Sequence, residues 1–247
     1  MAMSKIVTIA GVLASAGLVA GHGYVTGMTI DGEAYAGWLA DSYAYETDPP
    51  DTYGWPTTVT DNGFVAPDAF DTDDITCHRG ATPAVLSAPV EAGGSIDITW
   101  NTWPESHKGP IINYLADCGG DCSSADKTTL EWVKIQADAL VDASTQTWIT
   151  DDLIANNFTA TVTIPASIAP GNYVLRHEII GLHSAGQENG AQAYPQCLNL
   201  VISGSGTATP TGTLGTSLYT PTDDGILFDI YSNPTSYPMP GPELYSE

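Results

Sequence analysis

The chain has 247 residues, 43% of them apolar, and carries 29 acidic side chains against 6 basic ones, a formal net charge of −23. A surface this acidic repels nucleic acid and disfavours an anionic membrane, so neither is expected as a partner, and self-repulsion favours a soluble monomer. An uncharged polysaccharide meets no such electrostatic penalty.

At the N-terminus Lys5 precedes an apolar run from Ile6 to Val19, then the small residues Ala20 and Gly21. That order is the signature of a secretory signal peptide over residues 1–21. The mature protein is therefore expected outside the cell, as one domain over residues 22–247 without a separate carbohydrate-binding module. No later run approaches the roughly 20 apolar residues a membrane span needs. Cleavage after Gly21 would make His22 N-terminal, so that one residue offers two nitrogens, its α-amine and its imidazole Nδ1, to one metal. An amine pKa of about 8 lets a metal displace the proton at neutral pH. Amine and imidazole nitrogens together favour copper(II).

Residues 31–76 are rich in Tyr, Asp, Pro and Gly with little alternation, and a loop of that length in a compact domain is usually functional. Cys77 and His78 follow it. Cys77, Cys118, Cys122 and Cys197 form an even set in an exported chain, which points to two disulfides out of three possible pairings. The expected pairs are Cys118 with Cys122, closing the short CGGDC loop, and Cys77 with Cys197 across a long stretch. A zinc site built from these thiols is the competing reading, and it lacks two CxxC knuckles. A Cys77–Cys197 bond would bring the two Cα atoms within about 7 Å and so carry His78 towards Tyr194. From spacing alone, His78 reads equally as a second metal-binding imidazole or as a surface histidine.

Period-two alternation marks strands further on: Ile96, Ile98 and Trp100 oppose Ser95, Asp97 and Thr99, and Phe158, Ala160, Val162 and Ile164 oppose Thr159, Thr161 and Thr163. Residues 130–135, 172–180 and 196–202 are further candidates, and no long helical periodicity occurs. An all-β, antiparallel β-sandwich of immunoglobulin or fibronectin type follows. His107, in WPESHKGP, reads as a loop residue. Asn157-Phe158-Thr159 is a glycosylation sequon. His177, on one strand face with Leu175 and Ile179, reads as a hydrogen-bonded structural histidine. His183 stands at a strand end, where it could support a neighbouring site. From Ser203 onward the chain is loop-like. Leu227, Phe228, Ile230 and Tyr231 give it apolar anchors, so it is expected to pack along the domain.

The stretches HGYV, DNGFVAPDAF, ITCHRGATPA, WPESHKGPIINYLADCGGDC, PGNYVLRHEIIGLHSAG, NGAQAYPQC, GTLGTSLYTPTD and YPMPGPELY resemble, taken together, the fungal lytic polysaccharide monooxygenases of auxiliary activity family nine. The resemblance spans essentially the whole mature chain. It implies one copper held by His22, His78 and the distant phenol of Tyr194, with His183 and Gln192 orienting the reacting oxygen species. It also implies an aromatic, Tyr237, on a flat face that stacks on sugar. The implied reaction uses an external electron donor and O2 or H2O2 to oxidise C1 or C4 of cellulose or a related β-glucan. A noncatalytic carbohydrate-binding sandwich, a copper carrier and a glycoside hydrolase are the rival readings. The last would need a catalytic carboxylate pair, which is not evident here.

Overall fold

A computed structural model describes residues 22–60 and 63–247; the expected signal peptide lies outside the described residues. In chain order the strands are β1 (Val25–Ile30), β2 (Glu33–Ala36), β3 (Ala88–Glu91), β4 (Ser95–Trp100), β5 (Ile111–Asp117), β6 (Glu131–Asp138), β7 (Leu140–Asp142), β8 (Thr147–Trp148), β9 (Thr159–Thr163), β10 (Gly171–Gly181), β11 (Gln192–Ser203) and β12 (Thr213–Leu214). Two short helices, α1 (Asp74–Cys77) and α2 (Ile149–Ala155), sit in the connections. One sheet runs β2-β1-β4-β9 and the other β12-β6-β5-β10-β11-β3, while β7 and β8 form a separate ribbon. The fold is the expected β-sandwich. It departs from a purely antiparallel one at the edge, where β3 runs parallel to β11.

Two apolar layers flank the six-stranded sheet. Ile96, Ile98 and Trp100 of β4 meet Leu115, Leu175, Ile179 and Leu198 between the sheets. The opposite face carries Ile112, Tyr114, Val174 and Ile180, covered by Phe70 and Ile75 from the long loop and by Leu218, Ile226 and Ile230 from the C-terminal segment. That segment therefore lies along the domain, held by two of the four expected anchors. Ile230 is buried and Phe228 packs against the core, whereas Leu227 and Tyr231 point outward, Tyr231 with 71% of its surface exposed.

Because side chains alternate along a strand, neighbours on β10 enter different layers. His177 faces the inner layer, where Trp100 Nε1 donates to its Nε2 (3.0 Å) and its Nδ1 donates to Asn113 Oδ1 (2.7 Å). Arg176 and Glu178 face the outer layer as a fully buried ion pair at 2.7 Å. Arg176 also donates to the carbonyls of Ile75 and Thr76, and the Tyr219 hydroxyl donates to Glu178. The disulfides are Cys77–Cys197 and Cys118–Cys122, each with Cα atoms 5.3 Å apart. No cysteine is free, which rules out the zinc-thiolate reading.

Candidate metal centre

The main chain after His22 is pressed against the loop that follows β4. A Cβ on Gly23 would stand 2.1 Å from the Thr102 carbonyl oxygen, so only glycine fits there. Tyr24 N–H donates to Asn101 Oδ1 (2.9 Å), Asn101 N–H returns a bond to the Tyr24 carbonyl (3.0 Å), and Val25 N–H donates to Gln196 Oε1 (3.3 Å). So pinned, the His22 ring lies 5.4 Å from that of His107, 5.6 Å from that of Tyr194 and 5.8 Å from that of Phe64.

His107 is delivered by the loop entering β5. That loop is drawn onto the end of β10: Leu182 N–H donates to the Lys108 carbonyl (2.8 Å), and a Cβ on Gly109 would meet the Ile180 carbonyl oxygen at 1.9 Å. Trp103 Nε1 donates to the His107 carbonyl (2.9 Å), and His107 Nδ1 stands 3.0 Å from Ser106 Oγ. A proton on Nδ1 donated to Ser106 leaves Nε2 with the lone pair a metal requires. Burial, then the nearby His183 and His22, lower its pKa to about 4, so the ring is neutral at physiological pH. His183 stacks on it with centroids 3.7 Å apart. Burial, then His22, also lower the His183 pKa, and its Nδ1 is buried without a hydrogen-bond partner among the described residues. Tyr194, fully buried on β11, packs edge-on against Trp103 at 5.0 Å and donates its hydroxyl to Gln192 Oε1 (2.6 Å). Burial pushes that phenol far above its usual range, so it keeps its proton.

Metal–imidazole bonds of about 2 Å place a ring centroid about 3 Å from the ion, so rings 5.4 Å apart can share one metal. No three His, Cys, Asp or Glu side chains among the described residues are arranged to hold an ion unaided. The donor set at this corner is nitrogen-rich and free of thiolate, which suits copper.

Residues 22–237 match the family model for Auxiliary Activity family 9, formerly GH61. The chain belongs to auxiliary activity family 9. It is 81% identical, over the full length of both chains, to the AA9 family lytic polysaccharide monooxygenase F of Emericella nidulans. It is 60% identical, again over both full lengths, to monooxygenase E of Aspergillus tamarii. The extended catalytic domain of H. jecorina LPMO9A shares 50% identity over 91% of each chain with a TM-score of 0.88. Cel61B from Hypocrea jecorina shares 44% over 91% of this chain and all of that one, with a TM-score of 0.87. The protein is accordingly a copper-dependent polysaccharide monooxygenase.

In this monooxygenase the second imidazole beside His22 belongs to His107, not to His78. The His78 ring is committed to main chain: Nδ1 accepts from Arg79 N–H (2.8 Å) and Nε2 donates to the Gly63 carbonyl (2.9 Å), leaving no lone pair for a metal. The disulfide does bring Cys77 to Cys197. Cys197 and Tyr194, however, are three residues apart on β11 and enter opposite layers, Cys197 the outer and Tyr194 the inner. Proximity to Cys197 therefore does not by itself set His78 beside Tyr194; His78 lines a small cavity with Gly23 and Tyr24, with both ring nitrogens already bonded to main chain. A legible signal for His107 was its place in HKGP, just ahead of the apolar run IINYLA. That run is β5, and its pairing of Ile111 with Ile179 sets the preceding residues beside His183.

Tyr237 is also corrected. Its ring is packed against Trp148 (5.3 Å) and Phe228 (5.0 Å), and its hydroxyl donates inward to the Gly225 carbonyl (2.5 Å). The aromatic presented outward near the histidines is Tyr231, whose hydroxyl donates to the His183 carbonyl (3.3 Å). Tyr45, also 71% exposed, sits in the turn Tyr43–Tyr45. That turn packs through Tyr43 on Trp38, which lines a small cavity with Gly23 and Tyr24.

Proposed function

We propose that the mature, secreted chain begins at His22 and oxidatively cleaves β-1,4-glucan, cellulose above all, at C1 or C4. The observation that carries the reading is the His107 ring facing His22 at 5.4 Å, on a chain whose family match begins at His22. His22, through amine and imidazole, and His107, through Nε2, would hold one copper, with the Tyr194 phenol standing beyond them. Bound copper supplies one-electron redox chemistry, drawing on an external electron donor and on O2 or H2O2 to remove hydrogen from the sugar.

The protein's own groups do the rest. The neutral His107 keeps its lone pair because its site is poorly solvated. His183, stacked on His107 with Nδ1 unsatisfied, is placed to hydrogen-bond a reacting oxygen species. Gln192, its oxygen engaged by Tyr194, keeps its amide protons for the same task. Tyr231 and Tyr45 offer ring faces to a neutral, flat polymer, for which a strongly acidic surface raises no barrier. Asn157 lies exposed in a left-handed turn, a suitable place for the sequon to accept a glycan.

The test is mass spectrometry of soluble products released from cellulose by copper-loaded protein with ascorbate. Aldonic acids or C4 ketones support the reading, and their ratio assigns the regiochemistry. Binding to cellulose without any oxidised product would instead support a noncatalytic sandwich.

A further inference from the structure

Segment 228–234 carries Tyr231 and is fastened on both sides of it. Phe228 N–H donates to the Ala185 carbonyl (2.9 Å), and the Pro234 carbonyl accepts from Gln146 Nε2 (3.0 Å). Gln146 belongs to the turn between β7 and β8, far away in sequence. Its own carbonyl accepts from Lys108 Nζ (3.0 Å), and Lys108 also pairs with Asp151 at 3.0 Å. Lys108 directly follows His107. The contacts therefore close a ring: His107 on His183, His183 to Tyr231, Tyr231 through its segment to Pro234, Pro234 to Gln146, Gln146 to Lys108, and so back to His107.

The residue type at 146 is informative. Its φ is +53°, a left-handed conformation that glycine adopts freely and asparagine tolerates better than most. Glutamine is a costlier occupant of such a turn. What it has and asparagine lacks is one more methylene of reach. Its amide uses that reach, donating to Ala143 within the turn (2.6 Å) as well as to Pro234 across the gap. The turn's geometry does not call for glutamine, whereas the bond to the Tyr231 segment does.

We propose that Gln146 is a positioning residue for the glucan-binding face, holding the Tyr231 segment at a fixed offset from the His22–His107 centre. The inference rests on the reading of Tyr231 as a sugar-stacking residue. Gln146 touches neither metal nor polymer in this account and acts only through where it sets Tyr231.

Copper-loaded parent, Gln146→Gly, Gln146→Asn, Gln146→Lys, Lys108→Met and Tyr231→Ala proteins are compared for product release over a range of cellulose loadings. The copper electron paramagnetic resonance spectrum of each is recorded alongside. Glycine keeps the turn's backbone without strain, and asparagine fits it but falls short of Pro234; a long lysine can still donate to that carbonyl. We expect the half-saturating cellulose loading to rise about fivefold, the scale of one neutral hydrogen bond, for Gln146→Gly, Gln146→Asn and Lys108→Met. Saturated rates should stay within about twofold of the parent and the copper spectra should be unchanged, with Gln146→Lys close to the parent. A purely structural role would not follow donor reach in this way. If Tyr231→Ala weakens cellulose use while Gln146→Gly and Gln146→Asn match the parent, the proposal is overturned and the flat-face reading stands. If Tyr231→Ala matches the parent, both fall.

Discussion

The turn at Cys77–His78 and the loop at Ser106–His107 treat an imidazole in opposite ways. In the first, a disulfide fixes the backbone beside β11, and the ring then satisfies two main-chain groups, Arg79 N–H and the Gly63 carbonyl. In the second, no covalent bond is involved. Strand pairing, a glycine at 109 and the Lys108–Leu182 hydrogen bond bring the loop down, and the ring spends only Nδ1, on a neighbouring serine. A cross-link thus decides which residues are near one another, while strand parity and hydrogen-bond bookkeeping decide which nitrogen remains available.

The sharpest test of that contrast is a paired substitution. His107→Ala should abolish detectable oxidised product, with copper affinity falling at least about a hundredfold by calorimetry. His78→Ala should leave the copper spectrum unchanged and instead lower unfolding free energy by about 1 kcal/mol, since two partly buried main-chain groups lose their partner. The reverse pattern would restore His78 as the ligand.

A smaller loss is expected from Gly23→Ala. The added methyl cannot coexist with the Thr102 carbonyl at 2.1 Å, so the N-terminal residue must shift. Copper affinity should fall about tenfold or more, and parent-like binding would show that the N-terminus is not held as described. His183→Ala should keep copper bound and slow product release by about 10-fold to 100-fold; loss of the metal in that variant would make His183 a ligand.

The mildest expected effect is on stability against pH. Burial lowers the pKa of His177 to about 3 and of His107 to about 4. Between those values and the unfolded value of about 6.5, the unfolded chain binds protons that the folded chain refuses. Stability is therefore complete above about pH 6.5 and declines as pH falls towards 4. Denaturant midpoints of the metal-free protein at pH 7, 5.5 and 4 should drop in that order, and a flat profile would contradict neutral buried imidazoles.

Much of this was legible from residues. β4 and β9 announce themselves because one face meets the core and the other meets solvent, so Ile96 to Trp100 and Phe158 to Ile164 alternate. β5 does not, because both of its faces are covered: Leu115 points between the sheets and Ile112 and Tyr114 point under the loops. Without alternation to mark β5, its neighbour His107 read as a loop residue, although the unbroken apolar run IINYLA just after it was there to place it. Tyr194, Gln192 and His183 lie within one short stretch before Cys197, but their grouping came from the family resemblance rather than from any local pattern; the structure joins Tyr194 to Gln192 by a hydrogen bond. The exchange of Tyr237 for Tyr231 turns on which way an irregular segment faces, and that is set by contacts such as Gln146 to Pro234 rather than by any local pattern.

The buried pair of Arg176 and Glu178 carries a practical consequence for anyone shortening the chain. Tyr219 supplies a proton to Glu178, and the Pro240 carbonyl receives one from the buried Lys134. Trimming the tail back to β11 would therefore open two ionised groups of the sheet's outer face to water on one side while leaving apolar neighbours on the other. The tail is better regarded as the third layer of the sandwich than as an appendage, and deletions within it should be planned as core mutations.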